Sequence, residues 1–372
     1  MKKSIALFSY DFPHRKTQDF IFDLVASGMK EFVVIAAPKK VLKHNDGNSY
    51  FPISLQLSPP FSTEELCRNL GLPFFRIEHE DVAAINCLRD RYGFDFAIIS
   101  GARIIPGSVI DLFDNGIINF HPGKIPETSG LDALYFSIEK AASIGVTTHY
   151  IDNRVDAGRL VHFDELIIGP IDTPEIVMEN IYHLQRTALK RLITDFLSGS
   201  IVSTPIHRPL KNEPMMAHAK RDAIAKFCAW RAYRYTTQQR SLLFGACERG
   251  DINQACQILD QEPDFLTSVD ENGWTPLIVA SFNQRSELVN MLLLRGANPN
   301  STGRNGTTPL MYAKTKLINL PNADYSILDV LIKHGADCLR KDCFGKSIID
   351  YVRVTDDKRM IDYFDTCCTI TH

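Results

Sequence analysis

The stretch DNGIINFHPG, residues 114–123, ends an apolar run with Asn119 and His121 one residue apart. Side chains two apart on a strand point to the same side. A donor amide and a titratable imidazole therefore face one spot just before Pro122 and Gly123 turn the chain. Working outward, apolar runs recur near Ile5–Tyr10, Phe32–Ala37 and Phe94–Ser100, separated by helical patterns at Thr17–Ser27, Thr63–Asn69 and Asp81–Tyr92. Such alternation predicts an α/β sheet. Ser62 and Glu65 have the spacing of a capping box. GVTTHYID, 145–152, reads as a further strand, and a long amphipathic helix, with Asp172 as its cap and Pro174 in its first turn, closes a first domain over 1–200.

Residues 201–236 read as a linker followed by a connecting helix. Within them Met215, Ala219, Ala223, Phe227 and Trp230 fall at helical spacing, a stripe expected either to pair two copies as a homodimer or to dock the C-terminal domain. Over 237–372 a repeat emerges. NGWTPLIVA at 272–280 returns as NGTTPLMYA at 305–313, a step of 33 residues, and LLLRGANPN at 292–300 returns as LIKHGADCL at 331–339. Both motifs in register resemble ankyrin repeats, helical pairs that stack because one pair cannot bury its own apolar face. An all-α ankyrin domain is expected here.

Composition narrows the partners. Among 372 residues, 41 basic and 44 acidic side chains leave a formal charge of -3 with no basic block, which argues against nucleic-acid and membrane-surface binding. The nine cysteines form no zinc-like spacing, and Cys367 and Cys368 read as a frayed tail. The apolar stretch after MKKS is too short for a signal peptide, so a cytoplasmic location is expected. His149, Asp152 and Asp156 match no usual metal spacing, and no metal is expected. His149 reads as a core or supporting residue.

Asp156 precedes Ala157 and Gly158 in HYIDNRVDAGRLV, 149–161. Asn119, His121 and Asp156 can meet at the carboxyl edge of one sheet. The trio has a donor, a proton carrier and a carboxylate but no nucleophile, so the nucleophile must come from the substrate, as in acyl transfer to an amine.

INFHPGKIPETSGLDALYFSI with GVTTHYIDNRVDAGRLV resembles the formyltransferases that use N10-formyltetrahydrofolate. The resemblance covers about residues 1–200 and implies a Rossmann-like formyltransferase domain with Asn119, His121 and Asp156 as catalytic residues. SGLDAL stands where the family usually has RGAxP. SGARIIPGSVID, 100–111, resembles the folate loop, which implies that backbone groups near Ile104 and Ile105 hold the pterin, with the loop from Asp152 opposite. The acceptor then approaches Tyr10, His14 and Lys16, where cationic side chains suit a diphosphate. Joined to ankyrin repeats, the domain resembles sugar-nucleotide enzymes acting on dTDP-linked 3-amino-3,6-dideoxyhexoses for O-antigen. A dTDP-4-amino sugar, another amine, or an ankyrin scaffold with an inactive enzyme domain are the alternatives. Trp274, where the next repeat has Thr307, is expected to leave its indole exposed, for a protein contact or for a second nucleotide.

Overall fold

The computed structural model describes residues 4–29, 31–38, 61–102, 104–154, 156–207 and 212–369. The chain divides into two compact units, Met1–Tyr235 and Thr236–His372.

The first unit is built on one eight-stranded sheet ordered β3-β2-β1-β4-β5-β6-β7-β8. Its strands are β1 (Ile5–Tyr10), β2 (Phe32–Ala37), β3 (Phe74–Arg76), β4 (Ala97–Ile99), β5 (Ile117–His121), β6 (Gly145–Tyr150), β7 (Arg159–Glu165) and β8 (Thr204–Pro205). β1 to β5 pair in parallel, and β6, β7 and β8 add on antiparallel. Parallel strands are covered on both faces, which is why IALFSY and FVVIAA are nearly continuous apolar runs and fully buried through their lengths but for Tyr10. One face packs Leu7, Val34, Ile98 and Ile118 with Phe20 and Leu189, and the other packs Phe8, Ile35, Ile85 and Val109.

The sheet's helices are α1 (Arg15–Ala26), α2 (Thr63–Leu70), α3 (Val82–Tyr92), α4 (Gly107–Ile110), α5 (Ala133–Glu139) and α6 (Pro174–Ser198). Chain order reverses at β1, flanked by β2 and β4, and open α/β sheets place their ligands beyond the carboxyl ends of the strands at such a switch point. Ser62 caps α2 by accepting from the Glu65 amide at 3.2 Å. The cap of α6 is Thr173 rather than Asp172. With Pro174 as the first helical residue the preceding one takes the cap, while the Asp172 carboxylate accepts from the Gly169 amide at 2.7 Å and closes the turn before it.

The 201–236 segment is more than a linker. β8 extends the sheet from β7, and α7 (Ala217–Ala225) and the start of α8 (Phe227–Arg249) bury Ala223, Phe227 and Trp230 in the core of the first unit. The Trp230 indole donates to the Ala142 carbonyl at 3.0 Å. The expected stripe is therefore spent inside the unit and is not a face for a second copy, because its large rings are 3–4% exposed.

The second unit continues with α9 (Ile252–Gln261), α10 (Pro276–Phe282), α11 (Ser286–Leu294), α12 (Pro309–Lys314), α13 (Ser326–Lys333), α14 (Ile348–Arg353) and α15 (Lys358–Thr369). The repeated TPL has a local cause. Thr275 and Thr308 cap α10 and α12 through their hydroxyls, each at 3.3 Å, Pro follows in the first turn, and Leu277 and Leu310 are buried. Cys367 lies in α15 and is not in a frayed tail. Among the described residues no helix is long and apolar enough to cross a membrane.

Candidate active site

β5 delivers Asn119 and His121 to the carboxyl edge of the parallel strands, and the turn between β6 and β7 delivers Asp156. His121 is buried, with Nδ1 3.4 Å from Asp156 Oδ2 and Nε2 2.9 Å from the Thr128 carbonyl. A carbonyl can only accept, so Nε2 carries the proton in the neutral ring and the Nδ1 lone pair faces Asp156. Burial holds the imidazole below its ordinary acidity range, and the cation of Lys16 pushes the same way. Asp156 and the Thr128 carbonyl oppose them. The ring is thereby kept neutral but next to a carboxylate that balances it once protonated.

Asp156 is fixed twice. Its backbone is left-handed at φ 46, and its Oδ2 accepts from the Gly130 amide at 2.5 Å. Gly158 allows the same turn to close: with φ +98, a Cβ there would lie 2.1 Å from the Tyr150 carbonyl oxygen.

Asn119 does not touch His121. Its Nδ2 lies 3.4 Å from Nε2 of His149, whose Nδ1 donates to the Ala157 carbonyl at 2.9 Å. Since that carbonyl fixes the proton on Nδ1, Nε2 of His149 accepts from Asn119 and orients its amide, leaving the second N–H for a ligand. Both nitrogens of His149 are thus engaged, and Asp152 is paired with Arg154, so His149, Asp152 and Asp156 do not form a ligand set for a metal. The salt bridge holds the Asp152 carboxyl below its usual range.

The folate-loop residues divide. Ile105 is buried in the core, so only its backbone can serve a ligand, whereas Ile104 is 80% exposed. A Cβ added at Gly107 would lie 3.7 Å from the Asn153 Cβ, so the 104–107 and 152–154 stretches lie side by side.

At the end of β1, Tyr10 stacks on Phe12 with centroids 4.9 Å apart, and His14 meets Tyr10 edge-on at 5.2 Å. His14 caps α1 through Nδ1, with Thr17 Oγ1 2.8 Å away, and burial pushes its pKa down to about 4. Lys16 lies with its ammonium 5.2 Å from the centre of the Phe20 ring, and burial lowers it to about 8. Phe12 was not singled out from the sequence, although the aromatic run YDFPH held the signal. Thr128 and Gly130 act through backbone groups, for which side-chain identity gives no signal.

In the second unit Trp274 is half-buried, contrary to the expected exposed indole. Tyr312 and Phe282 offer it apolar surface, with ring centroids at 4.6 and 5.3 Å, and the Lys316 ammonium covers Phe282 at 4.4 Å.

Comparison with known proteins agrees with this geometry. Residues 36–193 match the formyl transferase family, and residues 215–342 match ankyrin repeats in three copies. The chain joins a formyltransferase domain to ankyrin repeats. The ankyrin match begins at 215, but α7 and the start of α8 pack into the first unit, and their buried rings place them there. Methionyl-tRNA formyltransferase of Bacteroides fragilis is 23% identical over 195 residues, 51% of this chain and 57% of that protein. Phosphoribosylglycinamide formyltransferase of Bacillus subtilis is 26% identical over 102 residues, 27% of this chain and 52% of that protein. A sugar N-formyltransferase structure from a Shewanella species is similar with a TM-score of 0.41 at 17% identity, covering 60% of this chain and 87% of that one. The chain thus spans little more than half the length of these two curated relatives.

Proposed function

We propose that this protein is an N-formyltransferase that moves the formyl group of N10-formyltetrahydrofolate to the amine of a dTDP-linked 3-amino-3,6-dideoxyhexose, in the synthesis of O-antigen. One observation carries the reaction: within the formyltransferase domain a buried neutral imidazole, His121, faces Asp156 while His149 orients Asn119 beside it. The His121–Asp156 pair takes the proton from the attacking amine, the carboxylate passing it to the Nδ1 it faces, and the free N–H of Asn119 donates to the oxyanion that develops on the formyl oxygen. Asp156 balances the imidazolium and relays a proton toward the departing nitrogen. Terms of this kind supply about 10² to 10⁴ for a general base and about 10² to 10³ for an oxyanion donor.

The pterin is placed beside the exposed Ile104 and the neighbouring 152–154 loop, with the backbone of Ile104 and Ile105 and the Asp152 loop as its walls. The acceptor's class is supported by the edge of β1. Tyr10 with Phe12 offers aromatic surface for a base, and Lys16, behind the His14 cap, offers a cation for phosphate. A homodimer remains part of the reading, on a surface other than the 215–230 stripe, with light scattering as its measure. So does a second nucleotide site on the aromatic cluster of Trp274, where Lys316 adds positive charge.

Turnover of N10-formyltetrahydrofolate with a panel of dTDP-3-amino and dTDP-4-amino sugars, read by mass, tests both the reaction and the position of the amine. Formylation of the 3-amino sugars is expected. Folate-dependent formylation of the 4-amino sugars alone would move the assignment to C4, and no formylation of any sugar would reject it.

A further inference from the structure

The loop that holds His121 and Asp156 is itself held by residues of the first unit that lie beyond the matched transferase segment, 36–193. Residues 127–132 supply the Thr128 carbonyl to His121 and the Gly130 amide to Asp156. Asn212, beyond the last helix of the transferase match, donates from Nδ2 to the Ser129 carbonyl at 2.8 Å and to the Glu127 carbonyl at 3.3 Å. Its Oδ1 accepts from Lys140 at 2.9 Å, and Lys140 also donates to the Glu127 carbonyl at 2.7 Å. The Asn212 carbonyl lies so near Gly130 that a Cβ there would sit 2.9 Å from it. Two residues on, Asp132 has a left-handed backbone at φ 68, and both its oxygens are taken. Lys220 of α7 pairs with Oδ1 at 2.7 Å, and the Met215 amide donates to Oδ2 at 3.0 Å. Both Asp132 and Lys220 are 14% exposed, so this ion pair is largely withdrawn from water and its removal leaves a buried carboxylate unbalanced.

The two carbonyls that Asn212 holds flank the one that fixes the His121 tautomer, and Asp132 anchors the same loop two residues past the amide that fixes Asp156. We propose that the segment 212–220 is a clamp that positions the catalytic loop, with Asn212 and Lys220 as positioning residues for His121 and Asp156. SGLDAL supplies the grip: Gly130 admits the Asn212 backbone, and Asp132 receives Lys220. The clamp rests on the reading of His121 as the base, and its test has one arm that does not need turnover.

Amide hydrogen exchange and kinetics are measured on the full chain for Asn212→Ala, Asn212→Asp, Lys220→Met and Lys220→Arg. Asn212→Ala and Lys220→Met are expected to speed exchange across 127–132 about tenfold or more, with β5 and α6 unchanged. kcat should fall about tenfold to a hundredfold, with KM for the formyl donor held, since a small misplacement of the base costs rate rather than binding. Water admitted to His121 returns it toward its ordinary acidity, so the acid limb of the rate profile moves to higher pH. Asn212→Asp keeps the acceptor for Lys140 but loses the donor and should match Asn212→Ala. Lys220→Arg should restore most of the rate. Where Lys220→Met fails to fold, Asn212→Asp, nearly unchanged in shape, still decides. Unchanged exchange at 127–132 with wild-type kcat in the Asn212 variants overturns the clamp. Loosened exchange in a protein with no formyl transfer at all would instead overturn the proposed reaction and leave the clamp standing.

Discussion

At the scale of single residues the site is a problem of proton placement. Carbonyls that can only accept fix the tautomers of His121 and His149, so one ring offers a lone pair toward Asp156 and the other turns the Asn119 amide. His121→Asn and Asn119→Ala are each expected to cut kcat by about 10² or more without unfolding the protein, checked by circular dichroism beside the turnover assay. The pH dependence follows from two groups. His121 works as the neutral base and burial holds it under its ordinary 6.5, so kcat/KM should be lost only as pH falls below that value. Lys16, lowered to about 8, is a cation below that pH and loses its grip on an anionic acceptor above it. A bell is expected, with its alkaline limb near 8. Lys16→Met should abolish the alkaline limb. It should also raise the acid limb, because it removes a positive neighbour of His121. An alkaline limb that persists in this variant assigns it to another group.

At the scale of elements, the β6–β7 turn sets the reach of Asp156. Gly158→Ala would push a methyl group into the Tyr150 carbonyl at a φ that L residues avoid, so the turn must open. Expected are a loss of about 1–3 kcal/mol in a denaturant titration and a disproportionate loss of kcat, because Asp156 moves with the turn. A variant that keeps kcat shows the turn to be dispensable. This element also shows what the sequence made legible. β1, β2 and β5 could be read because parallel strands buried on both faces are continuous apolar runs, and the Thr-Pro-Leu caps could be read because cap, proline and buried leucine are all local. β7 was missed since its residues are half-buried without clean alternation, and three-residue β3 is too short to show a period. Asn119, His121 and Asp156 were visible as side chains in motifs. The partners that fix them were not, because Thr128 and Gly130 contribute only backbone atoms and Asn212 lies more than 80 residues away in sequence.

At the scale of the whole molecule, the question is where the transferase ends. Read from the sequence the boundary falls near 200, but Phe227 and Trp230 are nearly inaccessible inside the first unit, and the clamp residues also lie beyond 200. Losing a buried Phe or Trp typically costs about 3–5 kcal/mol, against a total domain stability of about 5–15 kcal/mol. A chain ending at Ser200 loses both rings together with β8 and α7 and should be unfolded or aggregated. A chain ending at Tyr235 keeps every one of these and should melt as a cooperative unit with the triad's turnover intact. The chain ending at Tyr235, set beside the full chain, also locates the nucleotide sites. Calorimetric titration with a dTDP-amino sugar should give two binding events in the full chain and one in the chain ending at Tyr235, with Trp274→Ala in the full chain also reduced to one. A single event in the wild-type full chain removes the second site, and a folded, active chain ending at Ser200 returns the boundary to where the sequence alone put it.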